Sequence, residues 1–231
     1  MASVALIGPD GAGKTTLTRM LEQSDVLPFR YLYMGIDIPA SNLALPTSRL
    51  IERLKQRGPA AGGGTAATSR PARKGLLRRL GRRVWSLARL CNRLAEQWFR
   101  QFVSWYYQAR GYVVLYDRHF VFDFSPEITG EALSLDKRLH QWYLWHIYPR
   151  PDLVIFLDAP GALLYARKGE QTPEELERRR QAFLATGRRL RNFVRVDATR
   201  PLPEVFAEVT DHVVRFCQRP VRQPAEARDM R

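Results

Sequence analysis

The sequence predicts an α/β protein built on a parallel five-stranded sheet with helices on both faces. Short apolar runs such as Ser3–Ile7 and Leu153–Leu157 alternate with segments of helical periodicity, which is typical of a parallel sheet covered on both sides. Chemically suggestive residues follow the apolar runs at Gly8–Thr15, Asp117–His119 and Asp158. Ligands of such sheets bind at these strand ends, so we expect one functional site there.

The predicted elements follow one another along a single domain that spans residues 1–218. The predicted strands are Ser3–Ile7, Tyr31–Met34, Tyr112–Tyr116, Leu153–Leu157 and Phe193–Val196. The predicted helices are Lys14–Glu22, Leu76–Arg110, Leu135–Tyr148, one that begins near Pro160, Pro173–Thr186 and Pro203–Cys217. The helix predictions rest on three-and-four spacing of apolar residues and on Gly or Pro residues that mark the helix ends. The tail, residues 219–231, is expected to fray.

The segment from Pro39 to Gly75 is predicted to be loop-like. Its centre, Gly58-Pro-Ala-Ala-Gly-Gly-Gly-Thr-Ala-Ala-Thr-Ser, is low in complexity, as mobile linkers are. Because the alternation of strands and helices continues on both sides, residues 56–75 are interpreted as a flexible basic insertion within the domain.

The long predicted helix carries an apolar stripe that is expected to face the core. Three-and-four spacing defines the stripe, whose members are Leu77, Leu80, Val84, Leu87, Cys91, Leu94, Trp98 and Trp105. Four arginines lie off the stripe, namely Arg82, Arg89, Arg93 and Arg100. The alternative is that residues 76–110 form a homodimer interface.

Positive charge is concentrated in one part of the chain. The formal net charge is +14, and the segment from Arg49 to Arg110 holds fifteen Lys or Arg against Glu52 and Glu96, a net +13. This local excess indicates an anionic partner, such as a phosphorylated substrate, a nucleic acid or a membrane surface. The alternative is a basic face that only keeps the protein soluble.

The remaining composition predicts a cytoplasmic protein. The first residues contain no basic n-region, and no apolar run approaches the ~20 residues that span a bilayer. Cys91 and Cys217 are the only cysteines. They show no metal-ligand or redox spacing, which favours free thiols in a reducing compartment.

A glycine-rich loop follows the first predicted strand and opens a helix. Gly8-Pro-Asp-Gly-Ala-Gly-Lys14-Thr15 fits the pattern G-x-x-x-x-G-K-[ST]. In such a loop backbone N–H groups point at phosphate oxygens, and the helix N-terminus adds the positive end of its dipole. Lys14 would bridge the β- and γ-phosphates, and the Thr15 hydroxyl would ligate Mg²⁺. The motif in this context predicts a P-loop NTPase fold that binds ATP and Mg²⁺.

Two further clusters have side chains suited to phosphoryl transfer. Asp117 can hold Mg²⁺ or accept a hydroxyl proton, and the Arg118 guanidinium can grip phosphate at two points. The alternative is a strand-end ion pair, while His119 is interpreted as a packing residue. Residues 167–175 are predicted to form a basic lid that closes over the triphosphate. The alternative for the lid arginines is a solvated helix face.

Together these residues resemble the thymidylate kinase-like branch of the nucleoside and nucleotide kinase superfamily. The motifs that carry the resemblance are Gly-Pro-Asp10-Gly-Ala-Gly-Lys-Thr-Thr, Tyr-Asp117-Arg118-His, Pro151-Asp-Leu-Val-Ile-Phe-Leu-Asp158, the basic lid and Arg195-Val-Asp197-Ala. They extend along the whole predicted sheet but match poorly between about Ile36 and Gly111. The resemblance implies ATP and Mg²⁺ as cofactors.

The resemblance also implies roles for individual residues. Asp10 would contact the acceptor, while Asp117 and Arg118 would serve Mg²⁺ and phosphate. Because the loop contains no arginine, the catalytic arginine is expected in the lid, with Arg167 first and Lys168 second. The implied catalytic residues are Lys14, Asp117, Arg118 and Arg167, and the metal ligands are Thr15 and Asp117. The implied cofactor-binding residues are Gly8, Asp10, Gly11, Ala12, Gly13, Lys14, Thr15, Thr16, Arg167 and Asp197.

The acceptor half departs from the family pattern. Thymidylate kinases have Arg-Glu-Pro-Gly after the second strand, whereas this chain has Tyr33-Met-Gly35-Ile-Asp-Ile-Pro39. They continue from Asp-Arg into a Ser…Ala-Tyr-Gln stretch, whereas this chain has His-Phe-Val-Phe-Asp123-Phe. The candidate pocket residues are Asp10, Tyr33, Asp37, Arg118 and Asp123.

The expected function is therefore ATP-dependent transfer of the γ-phosphoryl group to a small, nucleotide-like acceptor. An alternative acceptor is a nucleoside, a sugar or a polysaccharide-linked hydroxyl. A different class of function is a P-loop protein whose basic segment binds a polyanion or a membrane surface. A polynucleotide 5′-hydroxyl kinase would combine the two.

Overall fold

A computed structural model describes residues 2–57, 73–123 and 135–218. Within these ranges five strands form one parallel sheet in the order β2-β3-β1-β4-β5. The strands are β1 (Ser3–Ile7), β2 (Phe29–Tyr33), β3 (Val113–Asp117), β4 (Leu153–Asp158) and β5 (Phe193–Asp197). The predicted α/β class and the five-stranded parallel sheet are confirmed.

The structure describes eight helices in these ranges. They are α1 (Lys14–Glu22), α2 (Pro46–Arg57), α3 (Arg73–Ala109), α4 (Phe120–Asp123), α5 (Leu135–His146), α6 (Gly161–Lys168), α7 (Pro173–Gly187) and α8 (Leu202–Gln218). Helices α2 and α4 were not predicted, and the predicted helices are present with ends shifted by a few residues.

Helices cover both faces of the sheet, as predicted. Along β1, Val4 and Leu6 lie in a core that α1, α6 and α8 complete. Ala5 and Ile7 lie in a second core, with residues of α4, α5 and α7. Successive side chains of a strand point to opposite faces, and a strand buried on both faces is apolar throughout. This explains the unbroken apolar runs in the sequence.

The predicted loop between Pro39 and Gly75 is wrong in part, because it contains helix α2. Pro46 stands at the first helical position, where the fixed φ of proline suits the helix and its missing N–H costs nothing. Asn92 of α3 donates to the buried Ser48 hydroxyl at 2.9 Å. Of the predicted insertion 56–75, residues 56–57 and 73–75 are helical, while residues 58–72 lie outside the described ranges. The predicted tail 219–231 lies outside them as well.

The predicted inner face of α3 is wrong in part: among the described side chains of the stripe, Leu94 and Trp98 are half-buried, but other positions differ. Arg100, expected off the stripe, is 0% exposed, whereas Trp105, expected on it, is 41% exposed. Cys91 is also exposed. The most buried side chains of this part of α3 are polar, namely Glu96, Gln97, Arg100, Gln101 and Ser104, beside the partly buried Val103 and Tyr107, which pack against the core. The side chains of Leu77, Leu80, Val84 and Leu87 are not described.

Hydrogen bonds explain how an arginine occupies the inner face of α3. Arg100 donates to Glu96 at 2.8 Å and to the carbonyl oxygens of Tyr33 and Gly35 at 3.2 and 2.8 Å. A buried charge is tolerated when it is paired and hydrogen-bonded. Arg100 therefore fastens α3 to the chain that leaves β2.

Aromatic side chains accumulate on the outer side of α3. Phe102, Trp105 and Tyr106 are exposed. The Trp98 ring lies 5.8 Å from Phe102 and 6.0 Å from Trp105 between centroids. The expectation that these tryptophans belong to the core is therefore wrong for Trp105.

Among the described helices, none has the length and apolar character needed to cross a membrane.

The Arg100–Glu96 pair has a matched exposed counterpart, which allows its contribution to stability to be tested. Arg215 and Asp211 of α8 have the same i, i+4 spacing and the same 2.8 Å separation, but both side chains are exposed. We expect Arg100→Ala to lower the free energy of unfolding by about 3–5 kcal/mol, because it leaves a buried carboxylate unpaired. Arg215→Ala should cost less than about 1 kcal/mol.

Urea unfolding of both variants at neutral pH measures the difference. Equal losses of stability in the two variants would contradict the role given to Arg100.

Candidate functional site

A cavity of about 410 Å³ lies where β1, β2 and β3 end. Parallel strands place their carboxyl ends at one edge of the sheet, which is where ligands bind in such folds. The cavity is lined by Gly8, Pro9, Asp10, Thr15, Tyr31, Tyr33, Ile36, Asp37, Ala40, Asp117, Arg118, Asp123, Lys168, Arg179 and Phe183. All five candidate pocket residues from the sequence are among them.

The loop between β1 and α1 forms one wall of the cavity. Gly13, the residue before α1, has φ 88°, a left-handed conformation that glycine adopts without steric cost. The chain thereby turns into α1 with the helix N-terminus, the positive end of its dipole, at the loop. The Lys14 ammonium donates to the Pro9 carbonyl oxygen at 2.7 Å and is buried. The Lys14 side chain thus folds back onto the backbone of its own loop.

The environment of Lys14 makes its ammonium unusually easy to deprotonate. Burial, reinforced by the neighbouring Arg118 charge, lowers the pKa of Lys14 to about 8, although Asp10 and Asp117 pull in the opposite direction. A buried cation without a carboxylate in direct contact favours the approach of an anion. The lysine is therefore suited to receive a negatively charged ligand.

Thr15 and Asp117 meet across the sheet edge. The Thr15 hydroxyl donates to Asp117 Oδ2 at 2.6 Å, and the Tyr31 hydroxyl donates to the same oxygen at 3.2 Å. Asp117 is 1% exposed, and its Oδ1 has no hydrogen-bond partner in the described structure. A buried carboxylate oxygen without a donor needs a cation or water to satisfy it.

The donor set at this point fits Mg²⁺. Mg²⁺ prefers oxygen ligands and is typically held by one or two protein groups, several waters and substrate phosphates. The Thr15 hydroxyl and the Asp117 carboxylate supply two such oxygens beside the loop. Among the described residues no group of three or more His, Cys, Asp or Glu forms a complete metal cage.

Three cations converge on Asp10. Arg118 donates to Asp10 Oδ1 at 2.5 Å, while Lys168 Nζ lies 4.0 Å from the same oxygen and Arg179 lies 3.7 Å from Oδ2. Burial alone would raise the pKa of Asp10, but Lys14, Arg118 and Lys168 outweigh it and hold the pKa below its ordinary value. Asp10 is therefore the carboxylate around which the positive charges near the loop are arranged.

Arg118 has a strained backbone. Its φ is 67°, which is uncommon for a residue with a side chain and is found repeatedly at functional sites. Its N–H still donates to the Leu6 carbonyl oxygen at 3.2 Å, so the strain does not break the pairing with β1. The turn directs the guanidinium toward Asp10 rather than into the sheet.

The predicted lid lies between α6 and α7. Gly169 ends α6 with φ 69°, and Thr172 caps α7 by accepting the Glu175 N–H at 3.2 Å. Of the two lid residues expected to act in catalysis, Lys168 lines the cavity. Arg167 instead donates to the Ala198 carbonyl oxygen at 3.0 Å.

The hydrogen bond from Arg167 to Ala198 places Arg167 near Asp197, which precedes Ala198 in the chain. Both Arg167 and Asp197 are predicted cofactor-binding residues. Asp197 accepts hydrogen bonds from the Thr199 N–H at 2.9 Å and from the Thr199 hydroxyl at 2.7 Å. Neither Arg167 nor Asp197 lines the cavity. Their roles stay predictions.

Asp158 is engaged by arginines. Arg180 donates to both of its oxygens at 2.5 and 3.1 Å, and Arg195 donates to Oδ2 at 2.5 Å. Although it ends β4, Asp158 is not part of the cavity lining.

His119 is completely buried beside the Tyr116, Phe120 and Tyr148 rings. Burial lowers its pKa to about 3, so it is neutral, consistent with packing.

Sequence reasoning missed the role of Tyr31 and did not separate Arg179 from its neighbours. Tyr31 and Tyr33 are two residues apart on β2, and side chains at that spacing share one face of the sheet. That periodicity at a strand end was the available signal for Tyr31. Arg179 lies between Arg178 and Arg180, and only the orientation of α7 selects it for the cavity.

Comparison with known proteins does not assign the chain to a family. No protein-family model matches the sequence, and no curated protein gives a significant match. The resemblance to thymidylate kinase-like proteins therefore rests on the short motifs alone.

The pKa of Lys14 leads to a pH-dependent prediction. With a pKa of about 8 in the unliganded protein, Lys14 is charged below that pH and loses its proton above it. If Lys14 binds polyphosphate through its ammonium, the Kd of a fluorescent ATP analogue should rise above about pH 8, by up to about tenfold per pH unit. Lys14→Arg should abolish this dependence, because guanidinium does not titrate in that range.

Fluorescence titrations of both proteins between about pH 7 and 9.5 measure the effect. The same rise in Kd for wild type and Lys14→Arg would exclude Lys14 as its source.

Proposed function

We propose that the protein is an ATP-dependent kinase with a P-loop fold, related to thymidylate kinases, that transfers the γ-phosphoryl group to a small acceptor. The observation that carries the proposal is the contact between Thr15 and Asp117, at 2.6 Å, beside a glycine-rich loop that closes on Lys14. A strand-end carboxylate that reaches a loop hydroxyl is the arrangement that a magnesium-dependent phosphate site needs.

The loop is proposed to hold the triphosphate. Backbone N–H groups of residues 8–15 and the N-terminus of α1 would receive phosphate oxygens. On binding, the Lys14 ammonium would exchange its bond to the Pro9 carbonyl for phosphate. Thr15 and Asp117 would hold Mg²⁺, which neutralises phosphate charge when bound.

The lid cations are proposed to complete the site. Lys168 and Arg179 already lie within 4.0 Å of Asp10, at the boundary between the loop and the rest of the cavity. Cations at this position would stabilise the charge that develops on the transferring group. Gly169 provides a flexible point at which α6 and α7 can adjust when ligand binds.

The proposed Mg²⁺ ligand can be tested by Asp117→Asn. The amide keeps the size of the side chain and accepts the Thr15 and Tyr31 hydrogen bonds, but it removes the charge that attracts the cation. We expect the Mg²⁺ concentration for half-maximal ATP turnover to rise by at least about tenfold. Turnover is measured as ADP release across a panel of small acceptors.

Asp25→Asn is the matched control, because Asp25 is exposed and lies outside the cavity. Its Mg²⁺ dependence should equal that of the wild type. An unchanged Mg²⁺ dependence in Asp117→Asn would refute the metal site.

A further inference from the structure

The cavity has two chemically different ends. One end is the loop wall with Thr15 and Asp117, where the triphosphate is proposed to bind. The other end is lined by Tyr33, Ile36, Asp37 and Asp123. Arg118 lies between the two ends, so an acceptor in the second end would face the loop across this arginine.

The positive charges of the cavity gather around Asp10, although the charge of Arg118 also acts on Asp123. Among the described lining residues the basic side chains are Arg118, Lys168 and Arg179. All three lie within 4.0 Å of the Asp10 carboxylate. Each therefore has a carboxylate partner at the boundary of the triphosphate site.

Negative charge predominates at the acceptor end. Asp37 and Asp123 both line it, and the Tyr33 ring carries a hydroxyl there. A phosphate ester carries a charge of about −1.5 to −2 at pH 7, so two carboxylates would repel it. Asp37 is exposed and Asp123 is half-buried, so solvent screens Asp37 and most of the repulsion comes from Asp123. This end does not have the composition of a site for a phosphorylated acceptor.

The same groups suit a molecule rich in hydroxyls. Carboxylates accept hydrogen bonds from alcohols, and a tyrosine hydroxyl both donates and accepts. Tyr33 is held in place because its hydroxyl folds back over Gly35, where an added Cβ would lie 2.5 Å from the oxygen. A side chain at Gly35 would thus displace the Tyr33 ring from the cavity.

Asp123 is also placed to accept a proton. Its Oδ2 accepts the Ile36 N–H at 3.1 Å, which occupies one of its two oxygens and fixes the side chain at the acceptor end. Burial, reinforced by the Asp10 charge, raises the pKa of Asp123 to about 6, despite the opposing effects of Arg118, the Ile36 N–H and Lys14. A carboxylate of that pKa is ionised at neutral pH and is a better base than an ordinary aspartate. Asp117, by contrast, already accepts hydrogen bonds from the Thr15 and Tyr31 hydroxyls.

We propose that the acceptor is a neutral, hydroxyl-bearing molecule of the nucleoside or sugar class, and that Asp123 is its general base. This inference rests on the kinase function proposed above. The acceptor O–H would lose its proton to Asp123 as its oxygen bonds to the γ-phosphorus of ATP. The bond from that phosphorus to the β–γ bridging oxygen breaks, and ADP leaves with that electron pair.

Matched acceptor pairs test the substrate class. Each pair differs by a phosphate only: thymidine and dTMP, adenosine and AMP, glucose and glucose 6-phosphate. With Mg²⁺ and ATP, the unphosphorylated member of the accepted pair should support at least about tenfold higher kcat/KM, because its partner meets two carboxylates. The pair that is accepted distinguishes a nucleoside from a sugar. Faster turnover of the phosphorylated member overturns the proposal.

Asp123→Asn tests the general base. The amide oxygen can still accept the Ile36 N–H, so the fold is retained, which thermal unfolding checks. We expect kcat to fall at least about 100-fold. In the wild type, kcat/KM should fall on acidification through about pH 6, where Asp123 takes up its proton, and the variant should lack this fall. The Kd for the fluorescent ATP analogue should stay within about twofold of wild type, because the donor site is untouched. Asp25→Asn is again the control.

A binding measurement tests the charge argument without turnover. Calorimetry in the presence of Mg²⁺ and ADP compares dTMP binding to the wild type and to the double variant Asp37→Asn with Asp123→Asn. Removing both carboxylates should tighten dTMP binding at least about tenfold. Unchanged dTMP affinity, or an Asp123→Asn variant with normal kcat and a normal acidic limb, overturns the inference.

Failure of this inference is distinguishable from failure of the proposed function. A wild-type protein that binds Mg²⁺ and ATP and phosphorylates dTMP in preference to thymidine is a kinase with a different acceptor. A protein that does not bind the ATP analogue at all refutes the kinase proposal itself, and the acceptor inference with it.

Discussion

The parallel pairing of β1 with β3 is the constraint on which the rest of the site depends. Its register sets Leu6 opposite Asp117, so the loop that follows β1 and the carboxylate that ends β3 emerge at the same edge. The Thr15–Asp117 hydrogen bond and the Arg118–Asp10 ion pair both cross this junction. Each joins residues more than one hundred positions apart, and a change of register by one residue would separate them.

The acceptor end is shaped by a second long-range contact. Arg100 of α3 binds the carbonyl oxygens of Tyr33 and Gly35 and thereby fixes the chain that carries Asp37. A polar helix face against the sheet is less favourable for stability than an apolar one. Its benefit is positional, because backbone carbonyls bound to a guanidinium cannot shift without breaking charge-assisted hydrogen bonds. The geometry of the proposed acceptor site thus depends on a buried arginine outside the cavity.

Local signals predicted the sheet and the loop, whereas tertiary contacts determined the rest. The strands β1, β3 and β4 are buried along their whole length, so they appear in the sequence as short, almost wholly apolar runs, which their length and flanking turn residues identify as strands. The inner face of α3 could not be predicted in this way, because the burial of Arg100 depends partly on hydrogen bonds to the carbonyl oxygens of Tyr33 and Gly35. Helix α2, which begins at Pro46, was not predicted because the composition around it is that of a loop. Arg179 was singled out only by the orientation of α7.

We propose that the loop between β1 and α1 is a polyphosphate site. It is tested most directly by calorimetric titration of the wild-type protein with ATP, ADP and AMP in the presence of Mg²⁺. Loop N–H groups and Lys14 would contact the β- and γ-phosphates, and each charge-assisted hydrogen bond contributes about 1.5–3 kcal/mol. We expect ATP and ADP to bind at least about 100-fold more tightly than AMP. Equal affinity for the three nucleotides would contradict it.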